Sequence, residues 1–367
     1  MPKPLLSIVL PTYNEKDNID PLLNKIESSL SKKDYSYEII FVDDSSDETP
    51  ELIKQRINSN PAIRLIHRDK TARTGLATAF LKGFAQANGT YICCMDSDLQ
   101  HPPEIITKLI QTALTKDADI VVASRYIKGG SAEGLGSLYR KLVSLATKYL
   151  TQIIFIPTRL TTDPGSGFFV FKKSILNNTI LEPKGFKILI EILMRANYRG
   201  NQVFDTPYQF LNRENDTSKA TIRQGIEYLK HLIYIIKTVP EAKRLIKFIF
   251  VGICGIFLNL GILWMLFNYS SLPIYLAWLT AVLISIFFNL TANTFYTYND
   301  KQSPSRMQSI RRLKIYYGFS LIGISVNFFI FYLGLKLGLH YIVAALFGII
   351  IVASLSFTIL TKWVWKK

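Results

Sequence analysis

Cysteine is scarce in this chain of 367 residues: Cys93, Cys94 and Cys254 are the whole complement. Cys93 and Cys94 are adjacent, so in a strand they point to opposite faces and a disulfide between them would be strained. Zinc-like spacing is missing as well, and the thiols read as small buried hydrophobes in a reducing compartment. Histidine is nearly as rare, with four residues and no pair set out for acid–base work. No glycine-rich phosphate loop of the dinucleotide or P-loop kind is present, which argues against those cofactors. Met1–Lys3 leads directly into a strand-like run, so no cleavable secretory signal is expected and the N-terminal half should stay in the compartment where it is made. Acidic residues are in deficit, with 27 Asp and Glu against 43 Lys and Arg and a formal net charge of +16. Nucleic acid or an anionic membrane surface would answer such a charge. The apolar pattern selects the membrane, and no nucleic-acid partner is expected.

Mean hydropathy is +0.20, and the excess is unevenly spread. Up to about Arg244 the sequence alternates apolar runs with polar punctuation; beyond it lie long apolar blocks. Leu245–Asn268, Leu272–Thr294, Ile315–Lys336 and Tyr341–Thr361 are each long enough to cross a hydrocarbon core of ~30 Å as helices. Basic residues collect between the middle two spans (Lys301, Arg306, Arg311, Arg312, Lys314) and at the end (Lys362, Lys366, Lys367, beside Trp363 and Trp365). Positive-inside reasoning therefore predicts four spans, with the N-terminal domain, the middle loop and the C-terminus all cytoplasmic. Asn259, Asn289, Asn293 and Asn327 lie within the apolar blocks, where polar side chains usually bond between helices.

The N-terminal half predicts a mostly parallel, Rossmann-like α/β sheet. Strand-length runs at Leu5–Leu10, Tyr37–Val42, Ala62–Ile66, Tyr91–Met95 and Ala118–Ala123 alternate with helical spacing over Lys16–Leu30, Glu48–Ser59, Gly75–Asn88 and Pro102–Thr115. Ligands of such sheets bind beyond the carboxyl ends of the strands. Polar clusters follow four of the five runs: Pro11–Glu15, Asp43–Ser46, Asp96–Glu104 and Ser124–Tyr126.

Two carboxylates one residue apart at a strand end, Asp96 and Asp98 with the amide of Gln100 nearby, can hold Mg²⁺ or Mn²⁺ whose shell a diphosphate and water complete. Gln100 or His101 is placed to cap the helix opened by Pro102-Pro103; His101 is also a candidate ligand, against which Pro102 is expected to turn it towards solvent. Tyr13 and the pair Asp43 and Asp44 are candidates for packing on a base and binding ribose or the base edge. Their alternative reading is turn chemistry. Arg125, Arg140, Arg213 and Lys219 supply counter-charge for phosphates. Thr221–Arg244 sets Ile222, Ile226, Leu229, Ile233 and Ile236 at helical spacing among lysines and reads as a helix lying in the membrane interface. Leu138–Ile156 is a candidate for a second.

Pro11-Thr12-Tyr13-Asn14-Glu15, Asp43-Asp44-Ser45 and Asp96-Ser97-Asp98-Leu99-Gln100-His101-Pro102-Pro103-Glu104 resemble the GT-A glycosyltransferases of family 2, and within it the polyprenyl-phosphate (dolichol-phosphate) mannose synthases. Ser124-Arg125-Tyr126, Ser166-Gly167-Phe168-Phe169 and the Gly185–Glu191 run support the resemblance, and the apolar tail resembles a GtrA-like membrane domain. The implied architecture is an α/β GT-A catalytic domain over 1–220, an amphipathic interface region over 221–244 and an all-α four-helix transmembrane domain over 245–367. By the resemblance, Pro11, Tyr13, Glu15, Asp43, Asp44 and Asp96 line the nucleotide pocket, and Asp96, Asp98 and Gln100 surround the metal. Asp96, Asp98 and Arg125 form the catalytic set. Arg125, Arg140 and Ser144 meet the acceptor phosphate or sugar. Arg213, Ser218 and Lys219 match an R-x-x-G-x-S-K motif that closes over the diphosphate, with Asp216 at its usual glycine position.

The resemblance implies transfer of mannose from GDP-mannose to dolichol or polyprenyl phosphate, with inversion in one in-line displacement. A phosphate monoester is already anionic at neutral pH, its second pKa lying near ~6, so no dedicated base is required. UDP-glucose is the alternative donor; the Gly185–Glu191 run inclines the reading to mannose. The Q-x-x-R-W motif of processive polysaccharide synthases is lacking, since no Trp precedes Trp264. A lipid-sugar flippase with a degenerate nucleotide-sugar module is the alternative from another class, against which the intact Asp96, Asp98 and Gln100 argue.

Overall fold

A computed structural model describes residues 3–31, 33, 35–182, 187–212, 222–297, 306–349 and 351–352. The chain divides into two units, Met1–Val239 and Pro240–Lys367. This break falls inside the stretch that the sequence assigns to the interface region.

In the first unit the expected runs form β1 (Leu6–Thr12), β2 (Tyr37–Asp43), β3 (Ile63–His67), β4 (Tyr91–Cys94) and β5 (Ile120–Ser124). The expected helices form α1 (Lys16–Ser31), α2 (Thr49–Ser59), α3 (Leu76–Gln86), α4 (Ile105–Thr115) and α5 (Leu138–Ile154). Alternate residues of β1 serve two cores: Leu6, Ile8 and Leu10 pack with residues of α1 and α4, and Val9 with residues of α3 and a later helix, α6 (Ile188–Arg195). A sheet covered on both faces explains why its strands read as unbroken apolar runs.

The seven strands run β3-β2-β1-β4-β6-β5-β7, where β6 is Phe169–Lys172 and β7 is Val203–Pro207. Neither β6 nor β7 is among the runs expected from the sequence. β6 enters antiparallel between β4 and β5, whereas β7 runs parallel to β5. An antiparallel strand begins where its parallel neighbours end: Phe169 pairs with Cys94 and with Val122. The segment before β6 therefore lies at the carboxyl edge, as does the segment after β7.

α6 is joined to α7 (Ile222–Thr238) by buried charge. Glu191, fully buried on α6, has Arg195 Nε at 2.6 Å and His231 Nε2 of α7 at 3.5 Å, and accepts the Glu182 amide at 3.0 Å. Tyr228, Leu232 and Ile235 of α7 are buried as well, and Tyr228 bonds Thr151 of α5. Ile226, Leu229 and Ile233 remain about half exposed, at 49%, 49% and 51%. These belong to the stripe that the sequence assigns to an interface, so α7 has one apolar face on the domain and a second one outside it.

The second unit holds α8 (Pro240–Tyr269), α9 (Ile274–Ala292, continued by a π turn to Thr297) and α10 (Arg306–Lys336). Ala242–Tyr269 and Ile274–Thr297 are long and apolar enough to cross a membrane, matching the first two expected spans. The third lies within α10, where Leu321–Lys336 is apolar. A further helix covers 341–349. The remainder of the fourth span from 353, Lys301 and the terminal tryptophans and lysines lie outside the described residues. Phe257 and Phe287 are 74% and 68% exposed, whereas Asn259, Asn293 and Asn327 are buried, the reverse of a water-soluble bundle. Asn289 of α9 fills the space beside Gly255 of α8, where any Cβ would overlap it.

Two predictions follow from this packing. Gly255→Val should part α8 from α9 and lower the unfolding temperature of the detergent-solubilised protein, a small-to-large change costing about 1–3 kcal/mol. Burial opposes the charge of Glu191, but His231, the Glu182 amide and Arg195 outweigh it and hold this carboxyl below its ordinary value. A depressed carboxylate contributes stability above its unfolded pKa and loses it as pH falls through the folded value. Glu191→Gln should therefore be less stable at pH 7 by about 3 kcal/mol and show a shallower acid limb in a pH series of thermal unfolding.

Candidate active site

At the carboxyl edge of β1, β2 and β4 lies a cavity of about 410 Å³, lined among others by Pro11, Tyr13, Glu15, Asp44, Asp96 and Asp98. Six residues expected at the nucleotide or metal are thus brought together. Tyr13 is 59% exposed, a ring open to stacking. Arg73, Gly75, Leu76 and Ala79 also line it. They were not singled out in the sequence, because they precede or open α3 and carry no acidic or paired signature. Gly75 has φ +122°, a conformation that favours glycine.

Asp43 departs from expectation. It is fully buried and absent from the cavity lining. Its Oδ1 accepts Thr12 Oγ1 at 2.7 Å and Ser45 Oγ at 2.6 Å, and Oδ2 lies 2.6 Å from His67 Nδ1. Asp43 is therefore a bracket between strands, not a lining residue. Asp44 does face the cavity, held by a bidentate pair with Arg68 (Nε–Oδ1 2.7 Å, Nη2–Oδ2 2.5 Å). The Pro11–Glu15 turn is tied to the loop after β2: Asn14 N–H donates to Ser45 Oγ at 2.8 Å and Glu15 N–H to Thr49 Oγ1 at 3.0 Å.

The Asp96–Asp98 turn is pinned by Ser97 Oγ, which donates to the Pro11 carbonyl at 2.9 Å. Leu99 then adopts φ +60°, costing about 1–3 kcal/mol in a residue with a Cβ. Its side chain is only 6% exposed in the core, and burying it returns a similar amount, about 1.5–3 kcal/mol. Asp96 Oδ1 is buried without a hydrogen-bond partner, as suits an oxygen that meets a cation. Asp98 Oδ1 accepts the Gln100 amide N–H at 3.2 Å. Two carboxylates with this orphaned oxygen fit a hard divalent ion that takes its other ligands from diphosphate and water. Among the described residues no three His, Cys, Asp or Glu form a preformed cage.

Gln100 and His101 differ from the sequence reading. Neither caps α4, whose N-cap is Glu104. The Gln100 side-chain amide donates to the carbonyls of Leu211 (2.9 Å) and Gly134 (3.4 Å), so a metal would be met by its Oε1. His101 is not turned to solvent. It is 4% exposed, packed among Phe168, Tyr208 and Phe210 with ring centroids 5.3–5.6 Å away, and its Nε2 lies 3.4 Å from Asp96 Oδ2. The aromatic partners arrive from the segments flanking β6 and β7, which the local pattern does not place.

Arg125, expected at a phosphate, is bound instead to Asp163 through Nε–Oδ2 at 2.7 Å and Nη2–Oδ1 at 2.9 Å, both side chains being buried. Asp163 was not anticipated. Gly167, four residues on, lies where a Cβ would come within 3.0 Å of Asp96 Oδ2. Ser144 of α5 bonds the Tyr126 hydroxyl at 2.6 Å, and Lys148 stands over the Tyr126 ring at 4.6 Å. Arg140 occupies the first turn of α5, its amide N–H capped by Ser137. Leu138, Leu142, Tyr149 and Ile153 of α5 are 56–72% exposed. Arg213, Ser218 and Lys219, with Asp216, lie outside the described residues.

Comparison with known proteins bears on the family and the fold. Residues 7–179 match the model of glycosyl transferase family 2, and residues 247–365 that of the GtrA/DPMS transmembrane domain. A dolichol-phosphate mannosyltransferase of Pyrococcus furiosus is 36% identical over 360 residues, covering 98% of this chain and 99% of that protein. The enzyme of the same name from Saccharomyces cerevisiae is 33% identical over 253 residues, covering 66% of this chain and 91% of that protein. Among solved structures, mannosyl-3-phosphoglycerate synthase from Rubrobacter xylanophilus aligns with a TM-score of 0.50 at 16% identity, over 64% of this chain and 74% of that one, a likeness of fold. A family 2 sheet, a transmembrane domain and end-to-end similarity to such an enzyme place the chain in one family: it belongs to the dolichol-phosphate mannosyltransferases.

Proposed function

We propose that this chain transfers mannose from GDP-mannose to dolichol or another polyprenyl phosphate at the cytoplasmic surface of a membrane, with inversion at the anomeric carbon. The observation that carries this reading is the cavity that joins Asp96 and Asp98 to Tyr13, Glu15 and Asp44, in a chain similar along its whole length to a dolichol-phosphate mannosyltransferase.

Tyr13 stacks on the base, and Asp44, braced by Arg68, takes hydroxyls of the nucleoside. Asp96, Asp98 and Gln100 Oε1 would hold Mg²⁺ or Mn²⁺, and the ion would supply charge to offset that of a departing GDP. Arg213, Ser218 and Lys219 are assigned to the diphosphate by their motif alone. On the acceptor side the phosphate attacks as an anion, so the protein acts by positioning it and screening charge. Arg140 and Ser144 on α5 are assigned to that phosphate; Arg125 acts by holding the loop that contains Asp163. The outward apolar residues of α5 and α7 lie at headgroup depth, where a polyprenyl phosphate presents its charge. The positive-inside pattern puts both termini in the cytoplasm.

Purified protein with Mg²⁺ or Mn²⁺, a polyprenyl phosphate and radiolabelled GDP-mannose should yield labelled lipid. UDP-glucose should yield far less. Label from UDP-glucose alone would reassign the sugar, and label from neither donor would remove the enzyme reading. Asp98→Ala should lower turnover by about 100-fold or more without changing the unfolding temperature. Full activity in that variant would overturn the metal assignment.

A further inference from the structure

We propose that Arg73 selects the base of the donor nucleotide, its guanidinium presenting two N–H groups to the neighbouring acceptors O6 and N7 of guanine. This rests on the reading above, in which the donor is a guanosine diphosphate sugar. Arg73 lines the cavity, and one edge of its guanidinium is fixed to the protein. Nε donates to the Arg68 carbonyl at 3.0 Å, and Nη2 lies 3.2 Å from His67 Nε2. A guanidinium has N–H donors and no acceptor, so His67 Nε2 must accept. The imidazole proton then sits on Nδ1 and is donated to Asp43 Oδ2 at 2.6 Å. The buried Asp43 thereby sets the tautomer of His67, and His67 sets the plane of Arg73. Among the described residues no carboxylate pairs with Arg73, whose Nε–Nη2 edge is committed to Arg68 and His67. The Nη1–Nη2 edge remains for a ligand.

Arg73 stands at the nucleoside end of the cavity. The sheet order puts β2 and β3 on one side of β1 and β4 on the other, and three strand spacings separate β3 from β4, roughly 14 Å. Asp96 and Asp98 follow β4, whereas Arg73 is tethered to His67, the last residue of β3, and to Arg68 beside it. Arg68 also grips Asp44, and its N–H donates to the Asp43 carbonyl at 2.9 Å. A nucleoside diphosphate with its phosphates at Asp96 and Asp98 and its hydroxyls at Asp44 brings its base to the β2–β3 end. The loop is braced there, since Arg73 closes the turn Lys70–Ala72 and Arg68 Nη1 donates to Thr78 Oγ1 of α3 at 3.0 Å. Guanine carries two adjacent acceptors on one edge, and an arginine fork matches that pair. Adenine turns an amino donor to the same place and uracil offers one carbonyl, so either leaves an N–H of the fork unpaired.

The competing roles are a contact with the diphosphate and a brace for the loop. Either would act on every nucleotide alike, whereas a base contact acts on guanine. GDP, 7-deaza-GDP, ADP and UDP are titrated by calorimetry, with Mn²⁺, into the detergent-solubilised full chain as wild type, Arg73→Met and Arg73→Lys. The 7-deaza analogue has C–H in place of N7 and so lacks one of the acceptors. Wild type should bind GDP about tenfold or more tighter than ADP or UDP, and about fivefold or more tighter than 7-deaza-GDP. In Arg73→Met we expect GDP to weaken about tenfold or more, ADP and UDP to stay within about threefold, and GDP and 7-deaza-GDP to converge within about twofold. Lysine is a point charge rather than a fork and should not restore the gap between GDP and its analogue. Equal weakening of all the nucleotides in Arg73→Met, or GDP affinity within about twofold of wild type, would overturn the proposal. If the Met variant does not fold, the Lys variant decides, and a gap as wide as that of wild type overturns it. Wild type with no preference for GDP over UDP removes the guanine donor from the functional reading; a preference that survives Arg73→Met removes Arg73 alone.

Discussion

A buried guanidinium has to be paired, and the pairing of Arg125 with Asp163 organises the carboxyl edge of this sheet. Both side chains lie below 10% exposure, joined by two hydrogen bonds of 2.7 and 2.9 Å. Leaving either charge alone in that position would cost several kcal/mol, roughly 3–5 for a broken buried pair. The loop that carries Asp163 is consequently held at the end of β5. Asp205 of β7 accepts from Thr161 and Thr162, and Ser166 donates to the Ala123 carbonyl. Once this loop is in place, Gly167 backs Asp96 and Gly165 receives Lys187.

The aspartate turn is held with similar redundancy. Ser97 ties it to β1, Gln100 ties it to the segments at Gly134 and Leu211, and Leu99 tolerates a left-handed backbone because its side chain is buried. Strain of this sort persists only where the surroundings over-determine it. The outcome is a pair of carboxylates fixed at one mouth of a cavity, with one buried oxygen of Asp96 lacking a protein partner. Asp43, the most buried acid of the group, carries the scaffold so that its neighbour Asp44 can face the cavity.

The same economy of position links the carboxyl edge of the sheet to α5 and α7. α6 carries Lys187 at its start and Glu191 and Arg195 along its length, so one short helix touches the reaction loop and grips α7. α7 bonds α5 through Tyr228, and both present apolar side chains outward.

Strand and helix identities over the first 124 residues were legible because burial on both faces of a parallel sheet leaves continuous apolar runs, and helices keep their own period. Ligand-bearing ends followed from the rule that parallel strands offer one common edge, which is why Tyr13, Asp44, Asp96 and Asp98 were found together. The apolar blocks likewise announce themselves by length, since a bilayer demands about 20 apolar residues per helix. Only tertiary structure decided the rest. That β6 enters antiparallel between β4 and β5 depends on pairings between residues far apart in the chain, such as Val122 with Phe169 and Cys94 with Phe169, and no local period encodes these. Whether an aspartate faces ligand or neighbours depends on which partners arrive. Asp43 met Thr12, Ser45 and His67, and Arg125 met an aspartate instead of a phosphate. Composition and spacing determine which chemistry a chain can bring to one edge; the long-range pairings of backbone and charge determine which groups remain turned towards a substrate.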